Sequence, residues 1–134
     1  MPKPFIAILY YLLLVFAGIA LLFLASVLQK VSTTSTAEYF YSDFLRNNYS
    51  LLAGIIFFLA GLFVGYFLKL NPWLAGIAMV IAMPLVSFYE AAVYKGSHNL
   101  IWFELVIYFL FSVPAITGVY IGRYIAKRRK KQEE

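Results

Sequence analysis

The chain has no cysteine. That excludes disulfides, thiolate metal ligands, haem-attachment motifs and cysteine redox chemistry. Charge is scarce too, with only 13% of the 134 residues being Asp, Glu, Lys or Arg. A soluble domain of this size needs a charged surface, and these residues are too few to make one. Histidine occurs once, at His98, so no imidazole pair can hold a metal. The sequence contains no phosphate-cradling glycine loop, no HExxH helix and no nucleophile elbow. No cofactor and no metal is expected.

Apolar length is what the chain has in quantity. Hydrophobic residues make up 63% of it and fall in four long runs. A run of about 18 or more can cross a bilayer as a helix. Barrel strands would alternate polar and apolar residues, and these runs do not. The expected fold is all-α: one transmembrane domain of four antiparallel helices, at 5–29, 51–70, 73–94 and 100–124. The first run is too long for the core of a signal peptide and lacks a small-x-small cleavage pattern, so it reads as a retained helix.

The connections carry signals of their own. Ser35 and Glu38 fit a capping box ahead of Tyr39, Phe40, Phe44 and Leu45 at helical spacing, which predicts an interfacial helix over 36–47. Asn48-Tyr49-Ser50 matches a glycosylation sequon that abuts the membrane. Pro72 can open the third span, and Pro84 and Pro114 should kink the third and fourth. The five residues 95–99 make those two spans an antiparallel hairpin. Residues 125–134 form a basic tail, expected to be disordered at its end.

Basic residues set the orientation. Lys3, Lys69, Arg123, Lys127, Arg128, Arg129, Lys130 and Lys131 fall on one side; Lys30, Arg46 and Lys95 fall on the other. Both termini are therefore expected in the cytoplasm, with the chain multi-pass in the inner membrane. The basic tail reads as a topology signal that also meets anionic lipid, and not as a nucleic-acid site.

Glycines Gly18, Gly54, Gly61, Gly65, Gly118 and Gly122 mark faces that another helix can approach. The segment from Gly61 to Leu68 aligns with that from Gly118 to Ile125, glycine on glycine. Glycine and aromatic residues are common in membrane helices, and the first and third runs show no matching pattern, so the likeness reads as chance.

Polar chemistry concentrates in 83–108. Glu90 and Glu104 are the only acidic residues inside apolar runs, and both lie four residues from the hairpin turn, hence at one depth. Gly76, Met83, Ser87, Glu90 and Tyr94 form one stripe; Glu104, Tyr108, Ser112, Ala115, Val119 and Gly122 form another. With His98 in the turn and Gln29 ending the first run, these groups outline an outer-facing acidic pocket. In one reading the carboxylates snorkel to the interface and pair with Lys95 or Arg46. In the other they hold a proton or a cation, because carboxylates held together resist double ionisation.

Three functions follow. The first is a homo-oligomer, or a subunit of a larger membrane complex, assembled through the glycine faces with itself or another membrane protein in the lipid bilayer. The second is a small cation- or proton-coupled transporter or channel using Glu90 and Glu104. The third is an enzyme acting on lipid, with two carboxylates and a histidine as acid and base but no nucleophile or metal cluster to support it.

Overall fold

Runs this apolar must satisfy their own backbone N–H and C=O groups, and a helix does so locally. The computed structural model describes residues 4–30, 40–94 and 101–133. Among them there is no strand. The helices are α1 (Pro4–Gln29), α2 (Phe40–Asn48), α3 (Leu51–Phe67), α4 (Pro72–Val80), α5 (Ala82–Val93) and α6 (Ile101–Glu133). Two helices are long and apolar enough to cross a membrane, Phe5–Gln29 and Ile101–Gln132. There are three if α4 and α5 count as one bent span. Helix α3 is apolar but only 17 residues long.

The helix ends follow from local chemistry. α1 stops where Lys30 turns left-handed at φ 50° and its N–H reaches the Val27 carbonyl at 3.2 Å. Ser50 caps α3, its hydroxyl accepting from the N–H of Leu52 at 3.1 Å. Asn71 caps α4 in the same way, accepting from Trp73 at 3.0 Å, with Pro72 in the first turn.

The two internal prolines act differently. α4 and α5 meet at a bend of 46° around Ile81. Pro84 has no N–H for the Val80 carbonyl four residues back, so the break falls one turn before the proline. α6 runs unbroken through Pro114. Pro114 leaves the Leu110 carbonyl four residues back without its helical N–H. Hydroxyls bond three neighbouring carbonyls: Ser112 donates to Phe109 at 2.6 Å, Thr117 to Val113 at 2.8 Å, and Tyr49 to Phe111. Tyr49 also stacks on the Phe111 ring, centroids 4.1 Å apart, and burial pushes its hydroxyl above the usual tyrosine range, so it remains a donor.

Residues 125–133 differ from the loose tail expected. They continue α6 as helix. Arg129 donates to the Tyr66 hydroxyl at 2.7 Å, and the Arg128 guanidinium lies 4.8 Å from the centre of the Tyr124 ring.

Glycine decides which helices touch. A Cβ on Gly61 would overlap the Ala115 carbonyl, and one on Gly65 the Val119 carbonyl. One on Gly118 would overlap the Phe58 carbonyl, and one on Gly122 the Leu62 carbonyl. These contacts advance together along both chains, so α3 and α6 run parallel, backbone against backbone. The aligned glycine segments that read as chance are the two halves of this contact. α1 and α4 form a second parallel pair, with the Tyr11 hydroxyl accepting from the Asn71 N–H at 3.1 Å and Gly18 lying against the Met79 backbone. The pairs join in the opposite sense, through Gly76 on Ile116 and Ser87 on Tyr108. Between them lies a core that includes Leu14, Leu22, Phe57, Met79, Met83 and Val119. Chain-order neighbours were expected to pack antiparallel; the closest glycine contacts instead join alternate apolar runs.

Candidate functional site

Each of three helices places two polar side chains one turn apart on one face. α2 offers Ser42 and Arg46, α5 offers Ser87 and Glu90, and α6 offers Glu104 and Tyr108. The faces meet in three contacts. The Ser42 N–H donates to Glu90 Oε2 at 3.2 Å. The Arg46 Nη1 stands 3.9 Å from Glu104 Oε1. The Ser87 and Tyr108 hydroxyls are hydrogen-bonded at 2.6 Å. The six residues close a ring at the shared end of α5 and α6, with α2 as its third side.

The ring is dry. Glu90 is 1% exposed, Ser42 is fully buried, and Ser87 and Tyr108 are buried. Glu104 keeps 12% of its side-chain surface and Arg46 keeps 36%, so access is from the Arg46 side. The predicted stripes account for much of this. Gly76, Met83, Ser87 and Glu90 are buried on α4 and α5, as are Tyr108, Ser112, Ala115, Val119 and Gly122 on α6. Phe103, Phe109 and Leu110 are exposed on the opposite side of α6.

Tyr94, Gln29 and His98 were also expected at the pocket. Tyr94 follows the end of α5 with 46% of its surface exposed. Gln29 donates to the Ala25 carbonyl of its own helix at 3.0 Å. Ser50 is occupied as the cap of α3. His98, Lys95 and the Ser35–Glu38 capping box lie outside the described residues. Sequence reasoning took Arg46 only as a surface partner and did not weigh Ser42. The signal was the four-residue spacing of Ser42 and Arg46, on a helix taken to rest on the membrane surface. In the structure α2 stands against α5, and its buried face is what covers the carboxylates.

Two features bear on chemistry. The Ser42 hydroxyl is fully buried and has no hydrogen-bond partner among the described residues, although its own N–H binds Glu90. A buried orphan of this kind is where a water or an ion is bound in many proteins. Two carboxylates and a guanidinium also stand within one small site. Tyr108 lies within electrostatic reach of Glu104, Arg46 and Glu90 together, so the three charges share one field. Among the described residues no group of three or more His, Asp or Glu is placed to hold a metal ion. Comparison of the chain with protein-family models, with curated proteins and with solved structures gives no match.

Proposed function

We propose that the chain is a four-span inner-membrane protein that binds and passes a proton or a small monovalent cation at the ring of Ser42, Glu90 and Glu104. In this reading α3 is a short second span, α4 and α5 are one bent third span, and both termini face the cytoplasm. The observation that carries it is the orphaned Ser42 hydroxyl beside the buried Glu90 carboxylate. Ser87 and Tyr108, hydrogen-bonded to each other, lie one turn further inward, and the break at Ile81 supplies a hinge one turn before Pro84. Arg46 balances Glu104 at the mouth, and movement of α2 would uncover both acids. Reconstituted protein should dissipate a proton, sodium or potassium gradient, and Glu90→Gln with Glu104→Gln together should abolish that flux. Flux equal to wild type in the double variant would sink the reading.

A second reading, a homo-oligomer or a subunit of a larger membrane complex, draws support from α1. Only 17% of its apolar window is buried, against 39% for α6. The glycine faces at Gly18, Gly61, Gly65, Gly118 and Gly122 are filled within one chain, so assembly would use the large apolar side chains of α1. Detergent-solubilised protein that stays monomeric, alone and with its membrane extract, would count against this reading.

A further inference from the structure

At the opposite end from the ring, α3 and α6 leave a groove of about 530 Å³. Lys69, just beyond α3, faces Arg123, Lys127 and Lys130 of α6 across a floor that includes Gly65 and Ala126. The three α6 cations recur at four and three residues, so they share one side of the helix. Among the described residues no acidic one lines the groove. Four like charges drawn together repel one another, and an anion between them removes that cost. The walls are fixed in place. Gly65 and Gly122 bring the two backbones together, and the bond from Arg129 to Tyr66 ties the basic turns of α6 to the end of α3.

The level of the groove suggests where the anion comes from. Trp73 meets Tyr120 edge to face at 6.4 Å, and Tyr66 and Tyr124 lie in the same layer. Aromatic residues gather where hydrocarbon gives way to headgroups. Phe67 beside the groove is 61% exposed, an apolar neighbour for an acyl chain. We infer that Lys69, Arg123, Lys127 and Lys130 form a binding site for the phosphate headgroup of an anionic membrane lipid. The inference rests on the membrane placement proposed above and not on the acidic ring.

The test measures lipid retention by native mass spectrometry of the full chain, with phosphatidylglycerol, phosphatidylcholine and inorganic phosphate as probes. Wild-type protein should retain phosphatidylglycerol and release phosphatidylcholine. A Lys69→Gln, Arg123→Gln, Lys127→Gln triple variant should bind phosphatidylglycerol about a hundredfold more weakly, each cation near the surface contributing about fivefold. A control of equal charge loss outside the groove, Lys30→Gln, Arg128→Gln, Lys131→Gln, should keep wild-type affinity. Should the groove triple fail to fold, Lys127→Gln alone is expected to cost about fivefold. Equal losses in groove and control variants would mean diffuse attraction to the basic tail, and would overturn the site. Displacement of the lipid by inorganic phosphate would overturn it as a lipid site in favour of a free anion. Glu90→Gln protein retains the groove and should retain the lipid, so a failed flux experiment leaves this result readable by itself.

Discussion

Glu90 has 1% of its surface exposed and accepts a backbone N–H, while the Ser42 hydroxyl beside it makes no hydrogen bond among the described residues. An unmade bond at a buried hydroxyl costs about 1–3 kcal/mol. Ser42→Ala removes that cost along with the oxygen. If the hydroxyl serves a bound cation, the variant should unfold at the wild-type temperature or above in cation-free buffer. It should also lose the rise in melting temperature that added sodium or potassium gives the wild type. Thermal unfolding across a series of salts measures both. A variant weakened equally in every buffer would show that the hydroxyl serves only packing. Arg46 has a smaller part in stability. It stands 3.9 Å from Glu104 and is 36% exposed, so solvent screening leaves the pair worth about 1 kcal/mol or less.

At the scale of the element, glycine spacing acts through backbone contact. Gly65 and Gly54 both belong to α3 and both lie toward α6, yet they differ in what an added methyl meets. At Gly65 it overlaps the Val119 carbonyl, which cannot move without shifting α6. At Gly54 the nearest atom is Pro114 Cγ at 3.9 Å, an ordinary contact. Gly65→Ala should therefore destabilise by about 1–3 kcal/mol or more. Gly54→Ala should be neutral or slightly stabilising, since alanine is the better helix former by about 1 kcal/mol. Denaturant titration in mixed micelles gives both values; equal effects would mean that α3 and α6 are not in backbone contact. The prolines make a related point. Pro84 and Pro114 carry the same local defect, but only the first coincides with a break in its helix; hydroxyls bond the carbonyls beside the second.

Over the whole molecule, the structure pairs α1 with α4 and α3 with α6, each pair parallel. The absence of native cysteine makes this testable with introduced thiols. Tyr11→Cys with Asn71→Cys should join through a short bis-maleimide, because their partners are in hydrogen-bond contact in the parent protein. Phe23→Cys with Asn71→Cys sets the far part of α1 against the start of α4 and should not join. The reverse result, read by gel mobility after cleavage between α1 and α4, would make α1 and α4 antiparallel.

The sequence alone decided the helical class, because apolar runs without alternation allow few other structures in lipid. It also decided which faces of α5 and α6 are buried, since Ser87, Glu90, Tyr108, Ser112 and Val119 recur at helical spacing, and it marked the glycines that allow close approach. The tertiary structure decided what those faces meet. The alignment of Gly61 and Gly65 with Gly118 and Gly122 is visible as letters, but a repeat within a sequence does not say that its copies touch. Helix spacing gives direction around one axis and carries no information on the distance between two. For the same reason α2 read as a surface helix: its short amphipathic pattern suits a headgroup layer or a protein wall equally. Only its position against α5 turned Ser42 and Arg46 toward Glu90 and Glu104, and closed three separate pairs of polar side chains into one site.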